Sequence, residues 1–479
     1  MNKQKRIPLY EALHKHTKID PISFHVPGHK AGTIFQHEAK GFFQEILRLD
    51  ATELSGLDDL HSPEGAIKEA EELLAAAYQV KKSFFLVNGS TVGNLAMILS
   101  VCEKEDVILV QRNCHKSVLN ALKLAKARPV FIDPDYNQEW KTVTGVSKEI
   151  VERAILLYPE AKALCLTYPN YYGQVYDLKG IIDLAHHHNI PVLVDEAHGA
   201  HFIIGKPFPA SAIQLGADIV VHSAHKTLPA MTMGSYLHIN SNRIDSDKVR
   251  DYLQMLQSSS PSYIIMASLD LARKYLATYE QNDVEYLITQ INHFKNELKT
   301  IKSIKILEYP DTQGDTLKVT IQSRSKLTGF ELQKKLEEIG IYTELADPYN
   351  ILLILPLLKE GQDYPLNEVS RKIKDVLINL PQYEIMEGFR MSSGKITELA
   401  IPFEQLSDYA KVAVEISKAA GKVCAETIIP YPPGIPLLLT GELITEEKIS
   451  HLSELLSAGA RFQGGSFLDK NQIKIYKIR

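Results

Sequence analysis

Short apolar runs alternate with helical patterns between residues 83 and 239. The runs are SFFLV, DVILVQR, RPVFID, ALCLTYP, PVLVDEAH, DIVVHSAHK and GSYLHI. Several are apolar without in-and-out alternation, which is typical of strands that are covered on both faces. Alternation of strands with helices predicts right-handed crossovers and an α/β fold, with a mainly parallel seven-stranded sheet flanked by helices. In such sheets, ligands bind beyond the carboxyl ends of the strands.

The pattern changes after about residue 300 to that of a smaller α+β unit. DTLKVTIQ and NILLILP read as strands, TGFELQKKLEEIGI reads as a helix, and another helical stretch is expected near 405–422. The proline-rich segment YPPGIP favours an extended conformation. We therefore expect an N-terminal arm (1–60), a large domain (61–300) and a small C-terminal domain (301–479).

The composition is that of an ordinary globular protein. The chain has 479 residues, of which 45% are hydrophobic and 23% charged, and its formal net charge is −5. This charge argues against a nucleic-acid binder that works through bulk charge, and no apolar stretch is long enough to span a membrane. Four scattered cysteines and the lack of an apolar secretory signal favour a cytoplasmic location.

The segment NGSTVGN (88–94) forms a Gly/Ser/Thr turn between the first strand and a helix. The N–H groups at the start of a helix, with the hydroxyls of Ser90 and Thr91, suit a phosphate group. The alternative is a structural N-cap, because serine and threonine are common at that position.

Asp195 ends the apolar strand of VLVDEAHGAH. A carboxylate is costly to bury there unless it meets a cation or hydrogen-bond donors, and a protonated pyridine nitrogen is such a partner. A helix cap or an internal salt bridge is the structural alternative. Several histidines lie nearby in sequence, but none has the spacing of a recognised zinc site, so no metal is predicted.

Lys226 follows the strand of VVHSAHKT, with Ser223 and His225 beside it. A partly buried lysine loses proton affinity, which aids imine formation, although a surface lysine is the commoner outcome for any single lysine. His115 follows another strand and could stack on an aromatic cofactor, although this residue taken alone favours an ordinary loop histidine. The order of phosphate turn, histidine, aspartate and lysine suits pyridoxal 5′-phosphate (PLP), with Lys226 bonded to its aldehyde as a Schiff base.

The strings HVPGHK, LDDLHSPEGAI, NGSTVGN, RNCHKS, VDEAHGAH, HSAHKT, SSSPSY and YPPGIP together resemble the bacterial Orn/Lys/Arg decarboxylases. The resemblance covers nearly the whole chain in the same order. It implies PLP fold type I, the aspartate-aminotransferase fold. It also implies that Lys226 bonds to PLP, that Asp195 meets the pyridine nitrogen and that His115 stacks on the ring.

The resemblance assigns further residues less directly. Ser90, Thr91, Ser223 and His225 would hold the phosphate or border the lysine. His198 stands where larger relatives have another aromatic residue. The weaker candidates, placed near the subunit interface and the substrate mouth, are Ser259, Ser260 and Glu426. This chain lacks the N-terminal wing of the large acid-stress enzymes, which favours a homodimer or homotetramer over a decamer.

The implied reaction is decarboxylation of a basic L-amino acid (arginine, lysine or ornithine) to the corresponding amine and CO2. His225, Lys226 or Cys114 would return a proton to Cα. Another fold-type-I enzyme, an aminotransferase or a carbon–sulfur lyase, is the alternative. Arg390 leaves it open, because aminotransferases need an arginine for the α-carboxylate. A non-catalytic PLP-binding regulator is a further alternative, although no basic helical module is present at either end.

Overall fold

The computed structural model describes residues 3–309, 314–383, 394–430 and 436–478. The α-helices in these ranges are α1 (Pro8–Lys18), α2 (His37–Leu49), α3 (Ala66–Tyr78), α4 (Gly89–Leu99), α5 (Lys116–Ala125), α6 (Lys148–Leu157), α7 (Leu178–His187), α8 (Ala212–Leu215), α9 (Ala224–Thr227), α10 (Ser246–Leu256), α11 (Tyr263–Ala277), α12 (Gln281–Lys299), α13 (Gly329–Glu337), α14 (Leu366–Leu377) and α15 (Glu446–Ser457).

The strands in the same ranges are β1 (Lys82–Leu86), β2 (Val107–Gln111), β3 (Arg128–Ile132), β4 (Tyr136–Asn137), β5 (Thr142–Val143), β6 (Ala163–Thr167), β7 (Val192–Asp195), β8 (Ile219–His222), β9 (Ser235–Ile239), β10 (Ile304–Leu307), β11 (Lys318–Ser323), β12 (Leu345–Ala346), β13 (Asn350–Ile354), β14 (Ile396–Glu398), β15 (Lys411–Glu415), β16 (Ile429–Pro430), β17 (Phe462–Gln463) and β18 (Gln472–Tyr476). All seven predicted strands between residues 83 and 239 are present, as β1, β2, β3, β6, β7, β8 and β9.

The chain divides into two compact units, each assembled from separate stretches of sequence. The first unit contains Met1–Val101, Leu193–Gly205 and Ala210–Glu280, and the second contains Cys102–Val192, Lys206–Pro209 and Gln281–Arg479. The predicted domain boundaries at residues 60 and 300 remain a prediction.

The first unit contains strands in the order β1-β9-β8-β7. β7 and β8 are parallel, whereas β9 is antiparallel to both of its neighbours, β1 and β8. Three of these four strands therefore run in the same direction, as a mainly parallel sheet requires. The strands are almost completely buried, which explains why their sequences are apolar without alternation.

The N-terminal arm, which periodicity alone could not place, is anchored to α11. Asp270 accepts a hydrogen bond from the backbone N–H of Leu9, at 3.1 Å. The buried guanidinium of Arg273 donates to Asp270 and to the backbone carbonyls of Gln4 and Arg6. The buried Arg273–Asp270 pair therefore holds the first turns of the chain in a defined position.

The second unit contains strands in the order β6-β2-β3-β14. β2 is parallel to β3 and β6, and β14 joins β3 as an antiparallel edge strand. A separate antiparallel sheet has the order β10-β11-β13-β12. Its strands β11 and β13 and the adjoining helix α13 confirm the predictions for residues 318–354. Thr328 and Glu331 start α13 with reciprocal side-chain-to-backbone hydrogen bonds.

The predicted helix near 405–422 is wrong. A 3-10 turn (Phe403–Asp408) is followed there by β15, which pairs with the antiparallel strand β18. Alanine and lysine made the stretch look helical, but Val412 and Val414 have the two-residue period of a strand. The partner strand lies about 60 residues later, so local propensity could not reveal the pairing. Tyr431–Ile435 of the YPPGIP segment lie outside the described residues.

Candidate active site

Helix α4 begins where β1 ends, at the predicted phosphate turn. Gly89 has a φ of +76°, and its N–H donates to the carbonyl of Met233 at 2.9 Å. Glycine adopts this left-handed backbone without a steric penalty, so the chain can turn directly from strand to helix. Ser90 is half-buried and Thr91 is exposed in the first turn of the helix, where N–H groups without a partner inside the helix favour an anion.

Helix α4 lies very close to the strands because residue 93 is glycine. A Cβ at Gly93 would come within 2.7 Å of Leu86 Cδ1 and 2.9 Å of Val221 Cγ1. No other residue would fit without movement of β1 or β8 side chains. This close approach sets the position of the α4 N-terminus relative to the ends of β7 and β8.

Ser90 and Asn94 are four residues apart and therefore lie on one face of α4. Ser223 Oγ donates to Ser90 Oγ at 2.7 Å, and Asn94 Nδ2 donates to Asp195 Oδ2 at 2.8 Å. One face of the helix thus joins Ser90, Ser223 and Asp195. Asn94 was not singled out from the sequence, although its spacing from Ser90 within NGSTVGN was the available signal.

Asp195 is the last residue of β7 and is 3% exposed. Its second oxygen, Oδ1, accepts the backbone N–H of Ala197 at 3.1 Å. A carboxylate can accept about four hydrogen bonds, so these two donors leave capacity for another partner. A buried carboxylate of this kind suits a cationic ring nitrogen, and the residues present therefore fit PLP.

Lys226 lies in the one-turn helix α9, immediately after β8. It is half-buried, and its Nζ lies 3.0 Å from Nε2 of the buried His198. A lysine ammonium can only donate, so Nε2 of His198 is the acceptor and Nδ1 carries the hydrogen of the neutral ring. The sequence identified both residues but did not predict this contact.

His225 is held by a backbone carbonyl. Its Nδ1 lies 2.9 Å from the oxygen of Gly234, and its backbone N–H donates to the same oxygen at 3.2 Å. Because a carbonyl only accepts, Nδ1 carries a hydrogen. These contacts fix the orientation of the His225 ring. His225 directly precedes Lys226 in the sequence.

His115 belongs to the second unit, where it caps α5. Its Nδ1 accepts the backbone N–H of Ser117 at 3.2 Å, which places the hydrogen of the neutral ring on Nε2. Its stacking on the cofactor remains a prediction. Cys114, beside it, is buried.

The weaker candidates have different surroundings. Ser259 and Ser260 are exposed in the turn after α10. Glu426, in the second unit, accepts the backbone N–H groups of Lys474 and Ser466, a contact that holds β18 and its flanking loop. Arg390 lies outside the described residues.

The described residues contain no group of three or more His, Cys, Asp and Glu side chains that could hold a metal ion. Along the same part of the chain, no helix has both the length and the apolar character needed to cross a bilayer.

A half-buried lysine, a buried strand-end carboxylate and paired hydroxyls at a helix start suit the aldehyde, the ring nitrogen and the phosphate of PLP. The model of the Orn/Lys/Arg decarboxylase major domain matches residues 7–331, and the model of that family's C-terminal domain matches residues 396–465. The chain therefore belongs to the Orn/Lys/Arg decarboxylase family.

Individual proteins agree with this assignment. The chain is 48% identical to the uncharacterized protein YaaO of Bacillus subtilis, over 98% of both chains. It is 36% identical to the arginine decarboxylase of the same organism, over 99% of this chain and 98% of that one. The structure of the Francisella novicida lysine decarboxylase LdcF has a TM-score of 0.81 at 22% identity, covering 98% of this chain and 81% of that one.

The predicted class of protein is confirmed by these similarities. The protein is a PLP-dependent amino-acid decarboxylase with a fold-type-I architecture. The roles of the individual site residues and the identity of the amino acid are proposals.

Proposed function

We propose that this protein decarboxylates a basic L-amino acid, with arginine as the first candidate, and that Lys226 is the lysine that bonds to PLP. The observation that carries the proposal is the arrangement in the first unit. Lys226, Asp195, Ser90 and Ser223 lie at the ends of two adjacent parallel strands and the helix packed on them. Lys226 and Asp195 are the two residues that a Schiff-base cofactor with a basic ring nitrogen requires.

Each side chain has a separate task. Ser90, Ser223 and the first N–H groups of α4 bind the phosphate, since hydroxyls and helix N-termini are suited to anions. Asp195, oriented by Asn94, keeps a proton on the ring nitrogen. PLP, when bound, supplies an electron sink for the bond that breaks at Cα. The protein supplies the orientation of that bond.

Proton transfer at Lys226 is assigned to His198. Lys226 must lose a proton from Nζ before it can act as a nucleophile, and His198 Nε2 at 3.0 Å is positioned to accept it. His225, protonated on Nε2 while Nδ1 donates to Gly234, is a candidate to return a proton to Cα. Lys226 and Cys114 are the alternative donors.

Arginine ranks ahead of lysine and ornithine because of the relatives. Four relatives at 33–36% identity, from three Bacillus species and Halalkalibacterium halodurans, are named arginine decarboxylases. Two relatives named lysine decarboxylases, from Pseudomonas aeruginosa and Escherichia coli, are 24% and 23% identical. The product from arginine would be agmatine, which suggests a role in polyamine biosynthesis in the cytoplasm.

A homodimer is the proposed assembly. Apolar side chains of the segment between α1 and the end of α2 are exposed, with Phe24 at 96% and Phe42 at 90% exposure. Ile22 and Ile34 in the same segment are also exposed. Such a concentration of apolar surface is unusual for a monomer and marks an interaction surface. A second copy of the chain is the proposed occupant.

The experiment is a three-substrate assay of the PLP-loaded protein. We expect release of CO2 and agmatine from arginine, with slower or no reaction of lysine and ornithine. Preferred turnover of lysine or ornithine would overturn the assignment of arginine as the substrate, but the protein would still be a decarboxylase. Consumption of 2-oxoglutarate with an amino donor, without CO2, would favour an aminotransferase. Binding of PLP without turnover of any amino acid would favour a regulator.

A further inference from the structure

A second buried polar cluster lies behind the residues proposed to hold PLP. It consists of Glu196, directly after Asp195, and His222, directly before Ser223, and both are completely buried. Successive side chains of a strand point to opposite faces. Asp195 and Ser223 contact residues of α4 on one face, whereas Glu196 and His222 contact each other on the other.

The carboxylate of Glu196 accepts three hydrogen bonds. Oε2 accepts from His222 Nε2 and from Ser211 Oγ, both at 2.6 Å, and Oε1 accepts the backbone N–H of Ala212 at 2.8 Å. The carboxylate therefore joins the end of β7 to the end of β8 and to the start of α8. These donors are needed, because an unpaired buried carboxylate is very unfavourable.

The position of the Glu196 side chain is further restricted by Gly199. A Cβ at Gly199 would lie 2.6 Å from Cγ of Glu196 and 3.0 Å from a ring carbon of Phe202. The loop after β7 thus folds directly onto Glu196, and the N–H of Gly199 donates to the Glu196 carbonyl at 2.9 Å. Both the side chain and the backbone of Glu196 are fixed.

The His222 ring is held between aromatic neighbours. Its centroid lies 5.2 Å from that of Tyr78 and 5.0 Å from that of His238. Burial, together with the nearby His222, holds the pKa of His238 well below its ordinary value, so His238 is neutral. No described residue forms a hydrogen bond to His222 Nδ1, so its polar contact is with Glu196 through Nε2.

We propose that Glu196 and His222 form a positioning pair that sets the distance between Asp195 and the Ser223–Lys226 segment. Each member is covalently adjacent to a residue proposed to bind PLP, and their hydrogen bond crosses the two strands at that level. Backbone hydrogen bonds from Glu196 to Val221 and from Ser223 to Ala197 continue the strand pairing to the same point. The inference rests on the proposed function, because it assumes that Asp195, Ser223 and Lys226 hold PLP.

The expected consequence concerns cofactor affinity. Without the pair, Asp195 and the Ser223–Lys226 segment would no longer meet the ring nitrogen and the phosphate simultaneously. Supporting residues of this kind commonly change ligand affinity by about 10- to 100-fold when they are replaced.

The test uses Glu196→Gln, which preserves size but removes the charge, and His222→Phe, which preserves an aromatic ring but removes the Nε2–H donor. PLP is titrated into the cofactor-free protein, and its dissociation constant is measured together with the visible absorption of bound PLP across pH. We expect PLP to bind about tenfold more weakly or worse in both variants. We also expect the double variant to lose less binding free energy for PLP than the two single variants lose in sum, because the partners act together.

Asp270→Asn is the matched control, since Asp270 is an equally buried carboxylate of the same unit that pairs with Arg273. It should lower the thermal midpoint of unfolding without weakening PLP binding. If Glu196→Gln and His222→Phe behave in the same way as this control, the pair is only structural and the inference is wrong. If the wild-type protein itself does not bind PLP, the proposed function fails instead.

Discussion

At the scale of single residues, the proposed chemistry depends on a contact that sequence motifs do not show. Lys226 and His198 are 28 positions apart, yet Nζ and Nε2 lie 3.0 Å apart. Resemblance to a family placed His198 near the cofactor without a definite role. From this contact we propose that His198 is the proton acceptor for a lysine that must react while uncharged.

Replacement of His198 by phenylalanine should slow the bonding of PLP to Lys226. The variant preserves an aromatic ring but removes the acceptor nitrogen, so the lysine must release its proton to water. We expect the visible absorption of bound PLP to form about tenfold more slowly at neutral pH, with the rate rising toward alkaline pH.

His187→Phe is the control for this experiment, because His187 is exposed at the end of α7. Stopped-flow mixing of PLP with each cofactor-free variant gives the rates. Equal rates for His198→Phe and the wild type at neutral pH would show that His198 takes no proton from Lys226.

At the scale of elements, helix α4 depends on a residue without a side chain. Gly93 lies in the helix interior, where glycine usually costs about 1 kcal/mol relative to alanine. Here glycine is required, because a Cβ would overlap Leu86 and Val221. Close packing of α4 on β1 and β8 therefore outweighs helix propensity.

Gly93→Ala should lower the free energy of unfolding by about 1–3 kcal/mol, because the added methyl group forces neighbouring side chains to move. Gly41→Ala is the matched substitution in α2, where nothing lies within 4 Å of the new Cβ. It should stabilise the protein by about 0.5–1 kcal/mol. Urea denaturation measures the free energy of unfolding of both variants. If Gly93→Ala changed it by the same amount as Gly41→Ala, the close approach of α4 to the strands would be contradicted.

Helix α3 contributes a buried carboxyl group whose charge is unfavourable. Burial raises the pKa of Glu71 from about 4.5 to about 8, although the backbone N–H of Phe85 donates to it at 2.9 Å. The folded protein therefore retains a proton that the unfolded chain loses above about pH 4.5. Stability from this group is present at low pH and is lost as the pH rises toward 8.

Glu71→Gln should remove this pH dependence while preserving an acceptor for Phe85. The difference in free energy of unfolding between variant and wild type should shift in favour of the variant between pH 5 and pH 8. The slope should reach at most about 1.4 kcal/mol per pH unit. If the free energies of unfolding of the two proteins changed with pH in the same way, the pKa of Glu71 would not be raised in the folded protein.

At the scale of the whole molecule, the N-terminal arm presents apolar side chains that a solvated monomer would not favour. Phe42→Glu should weaken the proposed homodimer and produce monomers at micromolar concentration in analytical ultracentrifugation. Leu156→Glu is the control, because Leu156 is exposed on α6, outside the arm. If the wild-type protein sediments as a monomer, or if the Phe42→Glu variant stays dimeric, the arm is not the dimer interface.

The parts of this protein that sequence could predict are those with local signals. The seven strands were identifiable because strands buried on both faces are continuously apolar. The site residues could be proposed because they follow those strands, and their roles stay predictions. The pairing of β15 with β18 could not be predicted, because the two strands are distant in the chain and Ala and Lys favour a helix locally. Glu196 and His222 were missed because their roles depend on a contact between neighbouring strands. Asn94 was missed although its spacing from Ser90 was a local signal, because its partner Asp195 is distant in sequence.

The central claim is that Lys226 is the residue that bonds to PLP. It is tested by borohydride reduction of the PLP-loaded protein, followed by proteolysis and mass spectrometry of the modified peptide. We expect the pyridoxyl group on Lys226, and no visible absorption of bound cofactor in Lys226→Ala, whereas Lys68→Ala on the exposed face of α3 should resemble the wild type. A pyridoxyl group on another lysine, or unchanged absorption in Lys226→Ala, would contradict the account.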